Sequence, residues 1–233
     1  MNMPPNDADQ PPGAGGPGSV DLYREVHKGL RLALFELVRT AGALDPADRA
    51  SCEAFAQLFA DIDMMLQTHH THEDGESLGT LIRASAPAAV VEAVDTDHEL
   101  TEQMLSELRA LVADLSNGVD NTRAIYDAVT TFVTSYLGHM EVEERQVMPA
   151  LQAHASFDDL KAIEMGIRTS IPPPDMCVFM RYMLPAMNPD ERTSMLGGMK
   201  MGAPPEIFQM FWETAEACLS SADVATVSAR LPG

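Results

Sequence analysis

Apolar residues recur at three- and four-residue intervals over most of the chain, and the two-residue alternation of a half-buried strand is hardly visible. Leu30, Leu34, Leu37 and Val38 predict a first helix over residues 20–38. Gly42 closes it, and Asp45-Pro46 reads as a helix cap followed by a first-turn proline. Phe55, Leu58, Ile62 and Met65 then share one face of a second helix that reaches Asp74. Gly75 and Gly79 predict a break before a short segment ending near Pro87. Val91, Val94, Leu105, Leu108 and Leu111 are the inner positions of a third helix over 88–115, and Asn117-Gly118 is a turn signal. Ile125, Val129, Phe132 and Tyr136 mark a fourth, which Pro149 ends or kinks. The expected class is all-α.

Beyond residue 155 the pattern changes to shorter helices. Ile171-Pro172-Pro173-Pro174 is a breaker, while Asn188-Pro189-Asp190-Glu191 and Ala203-Pro204-Pro205-Glu206 are helix starts. Met176, Met180, Met183 and Met187 form a stripe along one helix face, read as packing rather than a Met-rich Cu(I) site. Phe211 and Trp212 are the expected anchors of this unit. The Pro/Gly-rich residues 1–18 lack a basic stretch followed by an apolar one, so they read as a disordered tail and not as a signal peptide. The expected organisation is therefore a tail over 1–18, a helical domain over 19–155 and a helical extension over 156–233. The extension is a candidate cover for the domain's mouth or a candidate homodimer interface.

Charge removes several partners. A net charge of -20 repels a phosphate backbone, so nucleic acid is not expected. No apolar run is long enough for a membrane span. Cys52, Cys177 and Cys218 are odd in number and scattered, which argues against a disulfide framework and for a reducing, cytoplasmic setting. Signatures of a serine-triad elbow, a phosphate loop or a dinucleotide fold are not apparent.

The histidines carry the chemistry. His27 lies 42 residues before His69, which opens a His-x-x-x-Glu with Glu73. His98 lies 41 residues before His139, which opens a second one with Glu143. Residues four apart project from the same helix face. Each pair therefore offers an imidazole and a carboxylate to one point, and His27 and His98 add one imidazole from each remaining helix. Four inward histidines and two carboxylates able to bridge suit a two-metal centre inside a bundle. The absence of cysteine from the set disfavours structural zinc. His70 sits about 100° round the helix from His69; it is an additional candidate ligand if the helix rotates or distorts, with a surface or supporting role favoured. His72 with Glu76 is a competing register that the repeat disfavours. Glu102 is expected on the polar face. Tyr23 is expected in ordinary packing, and less so beside the centre.

With these residues in view, the chain resembles the hemerythrin-like (HHE cation-binding) family over about residues 20–155. The stretch His139-Met-Glu-Val-Glu143-Glu144-Arg-Gln-Val147-Met148-Pro149-Ala-Leu151 is close to the family's H-x-x-x-E-E-x-x-apolar-apolar-P-x-L. His69-His-Thr-His-Glu73-Asp74 fits more loosely and lacks the proline. The resemblance implies an up-down-up-down four-helix bundle around two non-haem iron ions, oxo- or hydroxo-bridged. It also implies His27, His69, Glu73, His98, His139 and Glu143 as ligands, with Glu73 and Glu143 bridging. Oxygen carriers of the family use five terminal histidines where four are placed here, which puts simple oxygen carriage in doubt.

Three functions are compatible with this set. One is binding, and turnover, of oxygen, peroxide or nitric oxide at open iron positions, with catalase- or peroxidase-like consumption as the enzymatic form. Tyr23, His70 and Glu102 are candidate proton donors for it. A second is an iron- or oxygen-responsive sensing module read out by the extension. A third is metal storage or a structural metal.

Overall fold

In the computed structural model, which describes residues 19–231, helix follows helix and no strand occurs among the described residues. The first helix, α1, spans Arg24–Gly42. It starts later than its apolar periodicity suggests because Asp21 Oδ1 accepts from the backbone N–H groups of Tyr23 and Arg24, at 3.1 and 3.0 Å. The second, α2, spans Arg49–Asp74 and is capped by Asp48, whose side chain accepts from the Ala50 N–H. This corrects the expected cap at Asp45. Asp45 instead holds a turn, accepting from the Ala47 N–H on its side chain and from the Asp48 N–H on its carbonyl.

A short helix α3 (Leu78–Ser85) links α2 to the long α4 (Ala88–Ser116), and α5 covers Thr122–Val142. Neighbours pack in the ring α1–α2–α4–α5, the up-down-up-down arrangement that the short connections dictate. Their inward faces are the periodic ones: Leu30, Leu34 and Leu37 meet Phe55, Ile62, Leu105, Leu108, Val129 and Phe132, all buried. Each side chain buried in this way contributes about 1.5–3 kcal/mol.

Pro149 does not end the fourth run of helix. After α5 the chain widens into a π turn, Glu143–Val147, and continues as α6 (Met148–His154) with the proline in its first turn. The Met148 N–H reaches back five residues to the Glu143 carbonyl. The wider turn accommodates the proline's missing N–H while the helical run continues.

The extension is built of α7 (Phe157–Ser170), α8 (Pro173–Ala186), α9 (Pro189–Gly202), α10 (Pro205–Cys218) and α11 (Ser221–Arg230). Helix α8 lies along the outside of α1, and α10 packs on α8. The methionine stripe is a packing face, since Met176, Met180, Met183 and Met187 are all buried in the same apolar cluster as the bundle interior. Gly29 permits the approach: a Cβ there would stand 2.5 Å from Met183 Cγ and 3.1 Å from its Cα. Phe211 is buried, whereas Trp212 is only half-buried and donates its indole N–H to Glu216. The N-terminal tail expected over 1–18 lies outside the described residues. No helix among the described residues is long and apolar enough to cross a membrane.

Candidate metal centre

Two apolar clusters occupy the bundle. The larger fills its middle; the smaller, with Tyr23, Leu78, Ile82, Val94, Val147, Met148 and Leu151, closes one end under α3, α6 and α7. Between them lies a polar layer. His27, His69, His70, Glu73, His98, His139 and Glu143 are all buried there. Every residue expected as a ligand is present in this layer, and His70 joins them.

The carboxylates organise the layer. Glu73 Oε1 lies 3.1 Å from His69 Nε2, while its Oε2 lies 3.5 Å from His98 Nε2. Glu143 Oε2 lies 3.3 Å from His27 Nε2, while its Oε1 lies 3.4 Å from His139 Nε2. Each carboxylate thus spans two histidine positions, one on the α1–α2 side and one on the α4–α5 side. Donor atoms fall into two groups, each within a 4.8 Å span: His27, His69, Glu73 and Glu143; and His70, Glu73, His98 and His139.

None of the four carboxylate oxygens, nor His98 Nε2, nor either ring nitrogen of His139, has a hydrogen-bond partner. Buried polar atoms in proteins are nearly always paired, and unpaired ones carry a desolvation cost of about 1–3 kcal/mol each, more when charged. Burial pushes both Glu73 and Glu143 up to about 8. Burial likewise pushes His139 down to about 2 and His69 well below its ordinary value, with the neighbouring imidazoles adding to the effect. Burial thus opposes protonation of His69, His70 and His139, whereas at His27 the contacts with Glu143 and Glu144 outweigh burial and favour it. Cations in the two groups would satisfy the four carboxylate oxygens and the inward Nε2 atoms of His98 and His139, and the donors are those that metals of the imidazole–carboxylate class take.

Outer partners fix the imidazoles. His27 is held by Glu144, at 2.9 Å between Nδ1 and Oε1, and Arg31 grips the same carboxylate at 2.6 and 3.1 Å. Burial raises Glu144, but His27 and Arg31 outweigh it and hold the carboxylate at about 2. His98 Nδ1 lies 3.1 Å from Asp74 Oδ1. Such contacts fix tautomer and ring orientation. Sequence reasoning assigned no role to Asp74 or Glu144. The available signal was their repetition, an acidic residue directly after each carboxylate of the pair.

A family model, the hemerythrin HHE cation-binding domain, matches residues 18–151, with a second match over 89–167. The chain belongs to the hemerythrin family. The second match of the hemerythrin domain begins near the start of α4, where His98, His139 and Glu143 repeat the spacing of His27, His69 and Glu73. Comparison with curated proteins and with solved structures gives no match.

Within this hemerythrin bundle His70 needs no helix rotation or distortion to face the centre, which corrects that expectation. Helix α2 sits between α1 and α4, so two successive residues about 100° apart each face a neighbour. His69 turns to His27. His70 stacks on His98 with ring centroids 4.4 Å apart and meets the Tyr136 hydroxyl at 3.1 Å. Of the surface or supporting role expected for it, the surface part is corrected: it is buried within the second donor group. Glu102 and His72 lie away from the centre. Glu102 pairs with Arg109 and Gln67 on the exterior, and His72 Nε2 meets Ser170 Oγ at 2.8 Å.

Tyr23 lines the centre. Its ring lies 5.1 Å from that of His27 and 6.4 Å from that of His69, and its buried hydroxyl has no partner. Burial holds that hydroxyl well above the ordinary phenol value, and the two carboxyls push the same way, so it stays protonated as a donor.

Proposed function

We propose that this hemerythrin domain holds two iron ions, one in each donor group, with Glu73 and Glu143 bridging them, and binds a small ligand such as oxygen, peroxide or nitric oxide. The supporting observation is the division of each carboxylate between two histidine groups, which a single ion does not require. Nitrogen and oxygen donors without thiolate favour iron over structural zinc. Each group offers four donors, and Glu143 Oε1, 3.4 Å from His139 Nε2, would add a fifth to the group of His70, His98 and His139. An ion on the His27–His69 side would then be the one with more room for an outside ligand, beside Tyr23. With His70 included, the histidine count rises to five, and reversible oxygen binding returns to the range of activities.

Bound iron supplies Lewis acidity and one-electron chemistry. The chain does the rest. Tyr23 presents a protonated hydroxyl to a ligand head, Glu144 and Asp74 keep His27 and His98 in fixed orientation, and the two apolar clusters flank the polar layer. Peroxide consumption is the enzymatic form of this reading, with Tyr23 as the hydrogen-bond donor. A sensing role is favoured by one observation: α1 carries His27 on its inner face and packs through Gly29 on α8 of the extension.

The test is metal quantitation with an absorption spectrum before and after peroxide. About two irons per chain and near-ultraviolet charge-transfer bands that peroxide changes are expected. One zinc, or no metal after reconstitution, overturns the reading.

A further inference from the structure

A cavity of about 100 Å³ runs from the surface to the His27–His69 side of the centre. Its floor is Tyr23, His69 and Glu73, and its walls include Val26 of α1, Ile171 after α7, and Phe179 and Met183 of α8. Much of the enclosure therefore comes from the extension. A diatomic ligand needs far less room. A roughly 150 Å³ apolar cavity holds the six carbons of a benzene ring, so this volume suits about four or five non-hydrogen atoms.

Two observations narrow the occupant. The Tyr23 side chain lines the cavity, is only 1% exposed and keeps an unpartnered hydroxyl, which a hydrogen-bonding head at that end would satisfy. At the mouth, Asp21, Glu25 and Glu164 outnumber Arg168, whose guanidinium is already engaged by Glu25 and Glu164 at 2.9 and 2.7 Å. That rim repels anions and leaves Arg168 unavailable to a carboxylate.

We propose that this cavity binds a neutral aliphatic molecule of about four or five non-hydrogen atoms with one hydroxyl-type head, an alcohol or an alkyl hydroperoxide. The head lies at Tyr23 and the hydrocarbon against Ile171, Phe179 and Met183. The inference deepens the proposed function, and rests on it, in placing an oxygen-bearing head beside the open side of the centre; the cavity's shape does not depend on metal.

The probe is tert-butanol, titrated into the purified protein with its metal while the methyl proton signal is followed by NMR. Saturable broadening in the millimolar range is expected, and propionate, with the same number of non-hydrogen atoms but anionic, should give none. Ile171→Trp, which fills the cavity away from the donors, should abolish the effect. Tyr23→Phe, which removes one oxygen and keeps the ring, should weaken affinity about tenfold; it decides the matter if Ile171→Trp fails to fold by circular dichroism. Equal broadening in wild type and both folded variants, or equal binding of propionate, overturns the proposal. A protein that loads iron and responds to peroxide but does not bind tert-butanol overturns the cavity assignment alone. One that binds tert-butanol as expected but takes up no iron overturns the di-iron reading and leaves the cavity site standing.

Discussion

Glu144 and Asp74 stand one residue after Glu143 and Glu73, and each holds a histidine on another helix. They are not equivalent. The Glu144 side chain is 33% exposed and clamped by Arg31, whereas that of Asp74 is 58% exposed and has no arginine or lysine clamping it among the described residues. Removing a carboxylate that orients a metal-bound imidazole costs about 10–100-fold in metal affinity. Glu144→Ala should fall near the upper end and Asp74→Ala near the lower, measured by competition against a chelator; equal losses would contradict the clamp's importance. His70→Ala should preserve two-metal loading with weaker affinity and shift the absorption bands, because it takes a donor from one group only. An unchanged spectrum would assign His70 to packing against Tyr136 and His98. The six ligand candidates were legible in the sequence because their spacing reflects the helix repeat within and between two similar halves. Glu144 was not, since its partner His27 lies 117 residues away and only the docking of α5 against α1 brings them together. His70 was obscured for a related reason: an inward direction is defined by two neighbouring helices, and a single amphipathic face does not display it.

At the scale of elements, helices were legible and their docking was not. Periodicity located α1, α2, α4 and α5, and breakers located the starts of α8, α9 and α10, but the methionine stripe could not name its partner. Gly29 supplies it. An added methyl at Gly29 would press on Met183 backbone atoms 3.1 Å away, so the strain cannot be relieved by a flexible side-chain tip alone. Overpacking costs about 1–3 kcal/mol, against a gain of about 1 kcal/mol from replacing a helical glycine. Gly29→Ala should therefore lower stability, and Gly29→Val should lower it further and expose the 171–174 linker to protease. Gly166 in α7 is the control, because a Cβ there meets nothing within 4 Å. Gly166→Ala should gain up to about 1 kcal/mol. Denaturant unfolding of the three variants decides; a stabilised Gly29→Ala would show that α1 and α8 have room to part.

The whole molecule is two apolar clusters joined across a polar layer, and that arrangement makes stability depend on what occupies the layer. The larger cluster ties α8 and α10 to the bundle, whereas the smaller one gathers α3, α6, α7 and the start of α1 above the centre. Without a cation, four buried carboxylate oxygens lack partners and both carboxyls are driven to about 8 by burial. A metal that binds only the folded chain stabilises it by about 4 kcal/mol when free metal is a thousand times its Kd. In a chain of this length each kcal/mol moves Tm by about 2–4 °C, so chelation should lower Tm by about 8–16 °C. The loss should also be uneven. The smaller cluster touches the rest of the bundle through the polar layer, so its helices should open first. Hydrogen exchange on the chelated protein should show α3 and α6 losing protection while the middle of α1 and α4 keeps theirs. Uniform loss would mean that the bundle unfolds as one unit, and an unchanged Tm after verified metal removal would mean that the histidines and carboxylates satisfy one another without a cation.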